Sequence, residues 1–225
     1  MPSRYYRRVF IPGYYYHIYN RGANKKRIFK DAQDYETFIE ILSYYLNYPN
    51  GKPRSVLQLL KVPNLINANN TVKTSINLTA YCLMSNHFHF IIKQVDSPAA
   101  ENGITNLMRR LTITYALYAK SKYSRSGTLF ESKYKNILVR SEQQLVHLSK
   151  YIHRNPIEIL KGSEPLESYK YSSYPAYIGL ISHPSWLISK NILAYFAKTE
   201  PGKSYKNFVE EIPLNEGLIE KVTLE

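Results

Sequence analysis

Two imidazoles stand two residues apart in this chain, as His87-Phe88-His89, inside the apolar run Tyr81–Lys93. The run reads as a strand. On a strand, residues i and i+2 share a face, so both imidazoles project to one side and the Phe88 ring to the other. That is a pair of nitrogen ligands for a divalent metal on a rigid element. A second set lies downstream, in Tyr151-Ile-His153-Arg-Asn155-Pro156. Tyr151 and Asn155 are four apart and share a helical face, while His153 and Arg154 point elsewhere. Packed near the histidines, Tyr151 would bring a phenol beside the metal, and Asn155 an amide oxygen as a third ligand. A free phenol, with a pKa of about 10, is a poor nucleophile at neutral pH. A metal that draws charge off a scissile phosphate compensates by making the phosphorus more electrophilic. Singly, each residue has a plainer use: strand histidines, an aromatic at the core edge, a helix cap before a proline. Their joint placement points to chemistry.

These side chains need a sheet and a helix to hold them. The pattern predicts a first strand over Tyr14–Asn20, after the Pro12-Gly13 turn, and a basic loop over Arg21–Arg27. Asp31–Asn47 has apolar residues at helical spacing and an acid to cap it. Tyr48–Ser75 is Pro- and Asn-rich and reads as loop. Strands are predicted over Ile76–Met84 and His87–Gln94, joined at Ser85-Asn86. A helix over Glu101–Tyr123, a strand over Tyr134–Arg140 and a helix over Ser141–Asn155 follow. Pro156 disfavours α geometry at Asn155 and should end that helix. The order βαββαβ plus a helix predicts an α+β, ferredoxin-like sheet. Residues 1–160 then form one domain. Residues 161–225 form an extension packed on it, with an apolar helix near Trp186–Phe196.

Charge narrows the partner. Net charge is +13, with 30 Lys and Arg against 17 Asp and Glu. The excess is clustered before Asp31 and again between Arg109 and Arg140, which suggests a polyanion. Tyrosine is abundant, at 22, and interleaves with the cations. Aromatic faces beside cations suit single-stranded nucleic acid, although many of these tyrosines serve as good strand formers. Arg21, Lys25, Lys26, Arg27, Arg109, Arg110, Lys133 and Lys135 are candidates for backbone contacts. No apolar stretch is long enough for a membrane span, and the basic start lacks the apolar region of a signal peptide. The one cysteine, Cys82, fits a reducing cytosol.

The His87-Phe88-His89 element resembles that of the HUH single-tyrosine transposases of the insertion-sequence type. Tyr151-Ile-His-x-Asn155-Pro156 is similar to the REP-associated tyrosine transposase branch. So are Tyr16-His17-Ile-Tyr-Asn20-Arg21-Gly22, Cys82-Leu-Met-Ser-Asn86-His87 and Gly127-Thr-Leu-Phe130-Glu-Ser-Lys-Tyr134-Lys, and the tail Tyr171-Ser-Ser-Tyr174-Pro-Ala-Tyr177-Ile-Gly179. The resemblance covers about residues 10 to 180. The segment Tyr48–Ser75 departs from it by its length.

The resemblance implies a ferredoxin-like fold and metal-dependent cleavage and rejoining of single-stranded DNA at or near hairpins. Tyr151 would be the nucleophile, forming a 5′-phosphotyrosine link. His87, His89 and Asn155 would hold a divalent metal, Mg or Mn. The partner would be single-stranded DNA with hairpin structure, in the bacterial cytosol beside the nucleoid, with no membrane; a homodimer is compatible with it. Two other readings stay open at this point: a non-cutting protein that binds a DNA or RNA hairpin, and a metal-dependent nuclease that uses water. A hairpin clamp or a tolerated surface loop are equal readings of Tyr48–Ser75.

Overall fold

The structure is a computed structural model that describes residues 8–48, 75–95, 103–160, 164–211, 213 and 217. The basic start before Arg8 and the insert over 49–74 lie outside these residues. Gly13, at φ 84°, turns the chain into strand β1, Tyr15–Arg21. Asp31 caps helix α1, Ala32–Asn47, by accepting from the Asp34 amide at 3.0 Å. Strands β2, Ile76–Met84, and β3, His87–Gln94, form a hairpin across Ser85-Asn86. Helix α2 is Gly103–Tyr123, strand β4 is Lys135–Leu138 and helix α3 is Glu142–Arg154. Ser141 caps α3 by accepting from the Gln144 amide.

All strand pairs are antiparallel and the order is β2-β3-β1-β4. This is the ferredoxin-like arrangement expected from the pattern. Strand alternation sorts the two faces. Phe88 and Phe90 point to α1 and α2, where Phe38 lies 5.3 Å and 6.3 Å from their ring centres and Tyr115 lies 5.0 Å from Phe38. His87 and His89 point the other way, toward α3.

Three expectations need correction. Strand β4 is shorter than Tyr134–Arg140, because it pairs with β1 only between Tyr16 and Tyr19. The apolar run Trp186–Phe196 is not one helix; only Lys190–Leu193 is helical, as α5 after the short helix α4, Tyr174–Tyr177. Leu187 bridges to Leu78, and the Ile188 amide donates to the Leu78 carbonyl at 2.8 Å. The open edge of β2 takes these backbone groups, as it takes the Leu83 amide bond to Tyr171 and the Ser173 amide bond to Tyr81. Third, α3 ends at Asn155 as expected, but Asn155 itself keeps right-handed helical dihedrals despite Pro156, at φ −47° and ψ −39°. The chain tightens there into a 3-10 turn, Asn155–Glu158.

A further helix, α6, Pro201–Glu210, packs on α3. Lys150 of α3 is buried, and its ammonium donates to the carbonyls of Phe208 at 2.6 Å and Pro213 at 3.3 Å. Arg154, one turn on, donates to the Val209 carbonyl at 2.7 Å. Two cations thus grip the carbonyl end of α6, where the helix dipole is negative. No helix among the described residues is long and apolar enough to cross a membrane.

Candidate active site

The strand and the helix bring the four expected residues together. His87 and His89 have ring centres 5.0 Å apart at 86°. His89 is fully buried and His87 is partly exposed. The Tyr151 ring stands edge-on to His89 at 5.7 Å. Asn155 Oδ1 lies 3.3 Å from His87 Nε2. Tyr151 and Asn155 share a face because the 3-10 tightening preserves the helical path. It also frees a carbonyl. The Asn155 amide turns to the Ile152 carbonyl, and the Asn155 side chain donates to the vacated Tyr151 carbonyl at 3.0 Å.

These bonds orient the amide groups around His87. Asn155 Nδ2 faces a carbonyl, so its Oδ1 faces the imidazole. Asn86 Nδ2 donates to the Lys25 carbonyl at 3.2 Å, so its Oδ1 faces His87 Nδ1 at 2.6 Å. Both ring nitrogens of His87 therefore meet amide oxygens. A neutral imidazole has one N–H to give. The shorter contact takes it, which leaves the Nε2 lone pair facing the Asn155 oxygen. Two acceptors aimed at one point repel unless a cation lies between them, either a second proton on the imidazole or a metal ion. Adjacent ligands at about 2.0–2.1 Å around an octahedral Mg lie about 3 Å apart, close to the separation seen. The donor set fits a divalent cation, and its imidazoles favour Mn over Mg.

His89 is oriented in turn. Its Nδ1 lies 2.8 Å from Nε2 of the buried His17 on β1, so Nε2 is the nitrogen it would offer a metal. His17 also stacks on Tyr19 at 4.7 Å. In the sequence His17 stood only inside a family motif and Asn86 only in a turn and a family motif, so neither orienting role was legible there. Among the described residues, no three His, Cys, Asp or Glu side chains gather as a ligand set. A set of two imidazoles and one amide oxygen would leave positions for water or phosphate oxygens.

A small pocket beside His87 is lined by Tyr19, Asn20, Arg21, Glu131, Ser132 and Lys135. The Arg21 guanidinium pairs with Glu131 at 2.9 Å and holds that carboxyl below its ordinary value. Lys135 lies over Tyr19 at 5.6 Å. Arg21 and Lys135 are therefore at the rim of the site, and Lys133 is exposed near them. Gly22 starts the basic loop, and a Cβ there would collide with the Lys26 carbonyl. Lys25 is exposed beside Asn86, while Lys26 and Arg27 line a separate cleft with Lys30 and Arg125. Arg109 and Arg110 lie on α2, across the sheet from Tyr151, with Arg110 over Tyr45. The structure does not bring those two to the site.

His153 belongs to the support, not the site. It is fully buried, and burial holds its pKa down at about 3. Its Nδ1 donates to the Tyr205 hydroxyl at 2.7 Å, which donates to Ser149 Oγ at 2.9 Å, which donates to the Val146 carbonyl. Its Nε2 accepts from Ser173 Oγ at 2.7 Å. The chain of bonds ties α3 to α6 and to the edge of β2.

A family model described as "Transposase IS200 like" matches residues 59–155, a little under half the chain. That span holds His87, His89, Tyr151 and Asn155 and ends on the last of them. No curated protein matches. A solved structure of a REP-associated tyrosine transposase bound to a REP hairpin is similar, with a TM-score of 0.54 at 10% identity, over 81% of this chain and 90% of that one. The chain thus resembles the IS200-like transposases over residues 59–155, and its fold is similar to that of a REP-associated tyrosine transposase.

Proposed function

We propose that this chain cleaves and rejoins single-stranded DNA at or near hairpins, with Tyr151 as the nucleophile. The observation that carries the reading is the convergence of His87 Nε2 and Asn155 Oδ1 on one point, on the helical face that also presents Tyr151 to His89. The phenolic oxygen forms a bond to the phosphorus. The bond from phosphorus to the 3′ oxygen breaks, that oxygen leaves as the 3′ hydroxyl with the proton that the phenol gives up, and the 5′ phosphate stays on Tyr151. The phosphotyrosine ester keeps the bond energy, so rejoining needs no nucleotide cofactor. His87, His89 and Asn155 would hold the divalent cation, Mg or Mn. Bound there, it would draw charge off the phosphate and raise the electrophilicity of phosphorus. His17 and Asn86 hold the two imidazoles in their ligating orientation. Arg21, Lys25, Lys133 and Lys135 sit where they can take phosphates of the strand. Tyr151 and His89 meet within one chain, which supports a tyrosine acting in its own subunit. The hairpin in the similar structure supports hairpin DNA as the partner, and such a substrate would place the protein beside the nucleoid in a bacterial cytosol.

The test is a covalent adduct. Incubated with a hairpin-bearing single-stranded oligonucleotide and Mg or Mn, the protein should give a slow-migrating species on a denaturing gel. Chelation and Tyr151→Phe should each abolish it. An adduct that survives Tyr151→Phe refutes the assignment. Tight hairpin binding with no adduct under any metal favours the non-cutting alternative.

A further inference from the structure

Helix α3 runs between two clefts, and the site just described occupies only one. At the other end of the sheet, a cleft of about 740 Å³ opens between the start of β1, the end of β3, the start of α3 and helix α5. Three cations line it: Lys93, Arg140 and Lys190. Three tyrosines line it with them: Tyr14, Tyr15 and Tyr195. Tyr14 and Tyr195 are about half exposed, at 48% and 47%. Tyr15 is fixed by an Asn191 amide bond to its hydroxyl at 2.8 Å, with the Lys93 ammonium 5.1 Å from its ring centre. The one acid there, Glu142, accepts from the Tyr195 hydroxyl. The cleft thus offers flat rings and positive charge together.

We propose that this cleft holds the single-stranded arm of the DNA substrate, with bases against Tyr14 and Tyr195 and phosphates against Lys93, Arg140 and Lys190. Rings beside cations serve a strand whose bases are unpaired, because stacking needs an open base face. A duplex stem would present phosphates alone and leave the rings unused. The cleft also lies on the path from the candidate active site. Register pairs Arg21 with His87 at one end of β1 and Tyr15 with Lys93 at the other. Six residues of strand separate them, about 20 Å. A strand held at Tyr151 and running along the edge of α3 would reach the cleft within a few nucleotides. The inference rests on the single-stranded DNA reading, and it adds a second point of contact that would set how much flanking strand the protein needs.

Binding decides it without cleavage. In the Tyr151→Phe background, affinities are measured for one hairpin carrying single-stranded arms of increasing length on either side. Affinity should rise once the arm on one side passes a threshold length. Tyr14→Ala with Tyr195→Ala should remove that rise, on the order of tenfold per stacking ring lost, and leave the armless hairpin unaffected. Lys93→Ala with Lys190→Ala should lower the salt slope for the long arm by about 1.4. Equal losses for armed and armless hairpins would overturn the proposal, as would no loss for either. An RNA arm binding more tightly than the DNA arm would overturn the assignment to DNA. Wild-type protein that binds the armless hairpin yet gains nothing from any arm sinks this inference alone. Protein that binds no single-stranded DNA sinks both readings.

Discussion

The two faces of strand β3 obey different rules. Phe88, Phe90 and Ile92 look into the layer of α1 and α2 and are fully buried. Nothing there needs a partner of a particular kind, only volume and shape. His87 and His89 look toward α3, and each has a ring nitrogen oriented by a second side chain, from Asn86 and His17. One face is held by burial and tolerates rough substitution at a cost in stability. The other is held by directed bonds and should lose chemistry long before it loses the fold. A one-residue slip of β3 would exchange the two sets, so the register is strongly specified.

The largest effect should come from the apolar face. Phe88→Ala should cost about 3–5 kcal/mol in denaturant unfolding. Tyr151→Phe removes only a hydroxyl from a partly buried ring and should cost under about 1 kcal/mol while abolishing the DNA adduct. Comparable destabilisation by the two changes would erase the contrast between the faces.

Acid should strike the support beneath the polar face. His153 titrates at about 3 when folded against an ordinary value of 6.5. Its folded pKa is depressed, so its contribution is present above pH 6.5 and fades as pH falls toward 3. Between pH 7 and pH 5 the loss should be about 2 kcal/mol. His153→Gln should begin less stable and lose about that much less over the same interval. Parallel pH profiles for wild type and variant would show that His153 is not buried as a neutral group.

A smaller effect isolates the orienting residue. His17→Phe keeps a ring of similar size and removes the bond to His89. Metal affinity should fall about 10–100-fold with the circular dichroism spectrum unchanged. Affinity equal to wild type would leave His17 as packing alone.

Much of this arrangement was legible in the residues, and the rest failed for identifiable reasons. Strands β2 and β3 lie where alternation placed them, because the apolar run is broken only at Ser85-Asn86. The pairs His87 with His89 and Tyr151 with Asn155 were readable because two-residue and four-residue spacings map onto faces of one element. His17 was not, because its meeting with His89 depends on pairing strands that are 72 residues apart at that contact. Asn86 looked like a turn residue, and its side chain acts through a bond to the loop at Lys25. The run Trp186–Phe196 looked helical because periodicity cannot reveal an open strand edge waiting for backbone partners. Arg109 and Arg110 were chosen by charge, which carries no information about which side of the sheet a helix covers.

On the proposed function, His87, His89 and Asn155 together would hold one divalent cation. Mn²⁺ binding followed by electron paramagnetic resonance tests it most directly and needs no DNA. One Mn²⁺ should bind per chain, with nitrogen couplings from imidazole. Binding should be lost in His87→Ala and in His89→Ala, and weakened about tenfold in Asn155→Ala, where water can take the amide position. Mn²⁺ bound equally well by wild type and all three folded variants would contradict it.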